Sequence, residues 1–256
     1  MKVYASYNEA GGVGKTTAAV SLAMTTAEMG LKTCLIDLDP RGATTEWLDV
    51  TPAKDGLHVG AILGNDEVEG WAQELAVQSR WHPNLRVIPS DRSVSNREKD
   101  STPGLELRLK ESLIGLDADV VIIDCPNRQG GPLTLSAFYA ADGVIYGTSA
   151  TQDGVSGVRG ARRSVSEFRR LRERQGATVD LEEVGIIVGN VNEVVMSRVA
   201  VNAIDELRET GLLLTPIVPS RTIVQEARTT SEWYGSFRKG EPVVRAYRQI
   251  AEKVFA

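Results

Sequence analysis

The chain is short of the residues that staple small folds or hold metals: among 256 residues there are two cysteines and two histidines. Cys34 and Cys125 both fall in or beside apolar, strand-like runs. That count excludes a disulfide framework and points to a reducing cytoplasm. His58 and His82 have no histidine or cysteine at ligand spacing, so no zinc motif is present. No apolar stretch approaches the roughly 18 residues that a membrane span needs. Positive charge is also scarce, with 29 basic against 34 acidic residues and a net charge of −5. Any nucleic-acid contact must therefore come from a local patch. Nothing precedes the strand-like run at 2–7, so neither a signal peptide nor a separate N-terminal domain is expected.

What is present is alternation. Strand-like runs at 2–7, 33–37, 85–89, 120–124, 143–148, 184–188 and 212–218 are separated by segments of helical pattern. Those helices are expected at 15–29, 105–113, 133–141, 155–174, 197–209, 222–230 and 243–254. Runs such as Val120-Val121-Ile122-Ile123 are apolar throughout, the pattern of a strand buried on both faces. Together these predict an α/β fold of three layers, a mainly parallel twisted sheet flanked by helices, as one domain over 1–256. Short helices beside the sheet are expected across 51–84, and a mobile loop across the polar run 90–104.

The strongest local signal is Gly11-Gly12-Val13-Gly14-Lys15-Thr16-Thr17, between the first strand and the first helix. Glycines there let successive backbone N–H groups converge on phosphate oxygens, and the helix N-terminus adds to the field. Lys15 would neutralise the outer phosphates and Thr16 would ligate magnesium. The common spacing needs glycine at position 9, where this chain has Glu9. Two more segments place carboxylates at strand ends, where α/β sheets bind ligands: Leu35-Ile36-Asp37-Leu38-Asp39-Pro40-Arg41-Gly42 and Val120-Val121-Ile122-Ile123-Asp124-Cys125-Pro126.

These three motifs, in this order, resemble the ParA/Soj/MinD family of deviant Walker A P-loop ATPases, most like the short ParA partition proteins. The resemblance implies a P-loop NTPase fold that uses ATP and Mg2+ in a cytoplasmic, nucleoid-associated role. It assigns Gly11 to Thr17 to the phosphates, with Lys15 and Asp39 catalytic and Asp39 orienting the attacking water. Thr16, Asp37 and Asp124 would serve the metal shell, Asp124 through water. Asn190 and Pro219 would contact adenine, although Asn190 equally suits a turn. The family form carries a second lysine at position 10, reaching across an ATP-bound homodimer. Here that position is Ala10. ATP binding is expected to survive and turnover to be slow, with Arg41 and Arg128 as candidate substitute cations.

Such proteins bind nonspecific DNA as dimers and are released with help from a centromere-binding, ParB-like partner. The helix at 155–174 offers a basic patch, with seven arginines between 159 and 174 against two glutamates. At helical spacing Arg159, Arg163, Arg170 and Arg174 form one stripe, opposite Val158, Val165 and Phe168. A plain solvated face is the competing reading. A second, more mixed set comprises Arg198, Arg221, Arg238, Lys239 and Arg245. The apolar residues of the last helix suit core packing better than a membrane surface. Two alternatives remain: a nucleotide-gated DNA-binding switch or scaffold with little hydrolysis, which Ala10 favours, and a MinD-like positioning ATPase.

Overall fold

The computed structural model describes residues 1–178 and 181–255. Seven strands form one sheet, in the order β3-β4-β2-β5-β1-β6-β7. They are β1 (Lys2–Ser6), β2 (Thr33–Asp37), β3 (Val77–Gln78), β4 (Leu85–Ile88), β5 (Val120–Asp124), β6 (Gly143–Ser149) and β7 (Glu182–Gly189). All pairings are parallel except that of β3 with β4.

Alternation along the strands explains the layers. Val121 and Ile123 of β5 join Cys34, Ile36, Val144 and Tyr146 in a core on one face. Val120 and Ile122 join Leu35 and Ile145 in a core on the other. Successive side chains of a strand point to opposite faces, so an unbroken apolar run requires cover on both. On the second face lie α1 (Lys15–Glu28), α2 (Ala43–Trp47), α9 (Thr222–Thr229) and α10 (Glu241–Val254). On the first lie α3 (Val59–Leu63), α4 (Trp71–Leu75), α5 (Leu105–Ser112), α6 (Gly131–Ala140), α7 (Gln152–Arg174) and α8 (Arg198–Glu209). The last helix buries Val243, Tyr247 and Ile250 in that second core, and Phe255 meets Tyr4 edge-on at 5.0 Å. Among the described residues no helix is long and apolar enough to cross a membrane.

Three segments differ from the sequence expectation. Residues 212–218 form no strand of the sheet; they meet β7 through the single bridge of Ile186 with Leu213 and backbone hydrogen bonds such as Val218 N–H to Val188 O at 2.9 Å, and just beyond them Pro219 bridges Val191. Pro216 and Pro219 lack the amide hydrogen that a continued ladder needs. The expected mobile loop at 90–104 instead holds a 3-10 helix at Arg92–Lys99, because Asp91 accepts the Ser93 N–H at its start and Val94 is fully buried. The region 51–84 contains short helices α3 and α4, as its pattern suggests, but also the antiparallel edge strand β3.

An aromatic group closes one end of the second core. Trp47 meets Trp81 at 6.2 Å and Tyr234 at 6.4 Å, and Trp81 meets Trp233 at 6.0 Å.

Candidate functional site

A cavity of about 440 Å³ opens at the carboxyl ends of β1, β2, β5, β6 and β7. Its floor is the loop between β1 and α1. Gly12 and Gly14 have φ of +74° and +101°, the left-handed region open to glycine, and a Cβ at Gly12 would meet nothing within 4 Å. These two residues turn the loop so that it ends on the first turn of α1. Gly12, Val13, Gly14, Lys15, Thr16 and Thr17 all line the cavity, as does Ala10. Gly11 does not; a Cβ there would lie 2.8 Å from the amide nitrogen of Asn127, which backs the loop.

Lys15 is 5% exposed and donates to Asp124 Oδ1 at 3.2 Å. Burial is the largest influence and opposes its charge. Asp124, Cys125 and Asp39 together outweigh it and hold the ammonium pKa above the ordinary lysine value. The pair is therefore charged and buried, which makes it costly to break from one side.

Asp37 and Asp124 end neighbouring strands in direct register. Both are fully buried, and neither lines the cavity. Asp124 Oδ2 accepts from Thr44 Oγ1 at 2.8 Å. Asp37 Oδ2 accepts from the Thr45 N–H at 2.8 Å and from Thr45 Oγ1 at 2.7 Å, while Oδ1 takes the Asp39 N–H at 3.2 Å. The carboxylate of Asp37, expected to serve the metal shell, is thus occupied by protein donors and stands off the cavity lining. It turns back to satisfy the first turn of α2 and holds the Asp39 bend. Burial, then the neighbouring Asp124, pushes its pKa up to about 7. Asp39 faces the cavity, and its Oδ1 takes the Arg41 N–H at 3.0 Å.

At the far end Asn190 and Pro219 both line the cavity, beside Val218, Val224 and Tyr247. Asn190 is left-handed at φ 58°, and its Oδ1 accepts from Ser220 Oγ at 2.7 Å. It is at once the turn residue and a wall residue. The sequence reading did not place Asn127, Arg221 and Arg228 at this wall, because each reaches the cavity through tertiary packing with no local motif. Arg221, expected among the DNA-facing cations, also lines the cavity. Its guanidinium donates to Ser220 O at 2.7 Å and to Glu193 at 3.0 Å, which draws it to the cavity rim.

The match that decides the family is to the AAA domain model, over residues 1–176. Soj of Thermus thermophilus, a chromosome-partitioning ATPase, is 28% identical over 251 residues, covering 97% of this chain and 93% of that protein. Soj of Bacillus subtilis, a sporulation initiation inhibitor, is 36% identical over 149 residues, 56% of each chain. The chain belongs to the ParA/Soj/MinD family of P-loop ATPases.

Among solved structures, cobyrinic acid a,c-diamide synthase of Mycobacterium smegmatis, with bound ADP and magnesium, has a TM-score of 0.76 at 27% identity. That match covers 98% of this chain and 93% of the other. McdA of Cyanothece superposes with a TM-score of 0.84 over the full length of both chains, at 22% identity, which speaks for the fold alone. The chain is thus a P-loop ATPase that uses ATP with Mg2+, and its cavity opens at the strand ends.

The helix α7 ties that cavity to the surface. Gly157 and Gly160 face the loop so closely that added Cβ atoms would meet Ala10 and Asn8, and Glu9, respectively. Ser164 Oγ donates to Glu9 Oε1 at 2.6 Å. Arg159, Arg163, Arg170 and Arg174 are exposed, on the side of the helix away from the buried Val158, Val165 and Phe168. Arg159 pairs with Glu206. Of the second set, Arg198, Arg238, Lys239 and Arg245 are exposed, and Arg245 pairs with Glu241.

Proposed function

We propose that the chain is a ParA-like partition ATPase: it binds ATP with Mg2+, pairs with a second copy, and holds nonspecific DNA at the nucleoid while segregating a plasmid or chromosome. A centromere-binding, ParB-like partner would stimulate release. The observation that carries this reading is α7, whose glycine side packs on the phosphate loop while its arginine side faces solvent.

The residues fit the nucleotide. The left-handed glycines clear the loop, Lys15 is charged inside the wall, and Thr16 opens onto the cavity. Among the described residues no group of three or more His, Cys, Asp or Glu side chains could hold a metal. That suits Mg2+, which keeps water and phosphate ligands and needs few from protein. Magnesium would neutralise charge between the outer phosphates. Thr16 offers it a hydroxyl, Asp124 acts from behind Lys15 and Thr44, and Asp39 orients the attacking water. Asn190 and Pro219 bracket the base.

Ala10 gives the cavity no cation from that loop position, so slow hydrolysis accompanies firm binding. This favours a second reading, a nucleotide-gated DNA-binding switch with little turnover. One experiment separates them: ATP turnover with and without DNA, beside DNA binding in ATP, ADP and no nucleotide. DNA-stimulated turnover with ATP-dependent binding supports the partition ATPase. Binding without turnover supports the switch. DNA binding indifferent to nucleotide defeats both.

A further inference from the structure

Four cationic side chains line the nucleotide cavity: Lys15, Arg41, Arg221 and Arg228. Three are committed elsewhere. Lys15 is paired with Asp124 at 3.2 Å, and Arg221 with Glu193 at 3.0 Å. Arg228 lies over the Trp47 ring, 5.7 Å from its centroid. Arg41 is different. Its side chain makes no ion pair or hydrogen bond with any described residue, while its backbone is held firmly. The Arg41 N–H goes to Asp39 Oδ1 at 3.0 Å, and the next N–H, of Gly42, goes to Asp39 O at 2.9 Å. A fixed backbone beside Asp39 thus carries a free guanidinium at the cavity wall. Arg128, the other cation near a motif end, does not line the cavity and pairs with Glu98 at 2.8 Å.

Charge balance makes that free guanidinium matter. In hydrolysis the water oxygen bonds to the γ-phosphorus as the bond to the bridging oxygen breaks. The bonding pair leaves with ADP, and the water's protons end on inorganic phosphate and solvent. Negative charge is spread over the transferring group and the bridging oxygen during this step, and positioned cations stabilise it. Lys15 meets that demand while paired with Asp124. We propose that Arg41 is a catalytic residue of this ATPase, supplying from the same chain's cavity wall the cation that stabilises the transferring phosphoryl group. The assignment rests on the ATP reading above, but not on the DNA reading.

The test compares Arg41→Ala, Arg41→Gln and Arg128→Ala with the parent, in Mg2+ and without DNA. Two readouts are taken: calorimetric affinity for ADP and for ADP with fluoroaluminate, a mimic of the transferring group, and the single-turnover rate. Both Arg41 variants are expected to bind ADP within about threefold of the parent and to lose at least about tenfold in affinity for the mimic. Their hydrolysis is expected to fall on the order of 10²-fold, as when one preorganised transition-state donor is removed. Arg128→Ala is expected to match the parent in both. The glutamine variant keeps a long polar side chain and stands in if alanine does not fold. Equal losses for ADP and the mimic would make Arg41 a ground-state contact and overturn the proposal, as would unchanged affinity for the mimic. A parent that binds no ADP would defeat the nucleotide reading itself, an outcome visible before any variant is compared.

Discussion

Gly157 of α7 sits so close to Ala10 of the phosphate loop that a Cβ built on the glycine would lie 2.6 Å from the alanine's Cβ and 2.9 Å from its backbone nitrogen. Asn8 Oδ1 would be closer still. Because backbone and a braced amide cannot swing aside, Gly157→Ala must push the loop off α7. Overpacking of this kind costs roughly 1–3 kcal/mol. The variant is expected to melt lower and to lose at least about tenfold in ATP-analogue affinity; parental affinity would show that the loop tolerates the shift.

Ala10→Lys tests the same contact from the other side. It should restore a cation at the phosphates and raise turnover per site by about tenfold or more, toward the effect of a cation supplied in trans. Steady-state hydrolysis of the variant against the parent decides it. No increase would mean that a lysine at position 10 does not reach the phosphates.

Asp124→Asn would leave the Lys15 ammonium buried opposite an uncharged amide. Breaking one side of a buried ion pair costs about 3–5 kcal/mol. The nucleotide-free variant should unfold at correspondingly lower denaturant. Saturating ATP supplies phosphate charge to Lys15, so the deficit should shrink with nucleotide. A deficit of equal size with and without ATP would place the phosphates away from Lys15.

Arg163 and Arg170 are exposed on α7. Replacing both with alanine should weaken DNA binding alike for all sequences and lower the slope of log affinity against log salt by about 2. An unchanged slope would remove α7 from the DNA interface, leaving its arginines as a solvated face.

His58 accepts the Gly60 N–H at Nδ1, 3.1 Å away, at the start of α3. Burial lowers its pKa, Asp91 opposes the shift and Arg97 adds to it. The folded state therefore binds fewer protons here than the unfolded chain, and stability falls as pH drops through the ordinary histidine range. Melting curves from about pH 7.5 to about pH 5.5 should show a steeper loss for the parent than for His58→Asn, whose amide oxygen still caps the helix. Parallel curves would remove His58 as the source.

The central strands and the loop from Gly11 to Thr17 were legible because their signals are local: apolar runs of strand length, and glycines in front of Lys15 and Thr16. Asp37 was less legible. Its motif position marks a strand end, but only the fold shows that Thr45 and the Asp39 N–H occupy its oxygens. Arg221 illustrates the same gap, since its pull toward Glu193 joins residues 28 positions apart. The 3-10 helix at Arg92–Lys99 was hidden by polarity. One buried valine and one capping aspartate order it, too little signal for a periodicity to reveal.

The aromatic group beside the cavity has an optical consequence. Trp47, Trp81 and Trp233 account for three of the chain's four tryptophans, and Arg228, which lines the cavity, rests over the first of them. A ligand that draws the guanidinium off the ring changes the field around the indole. Its emission would then change with occupancy, and the unlabelled protein would serve as its own fluorescent sensor for such a ligand.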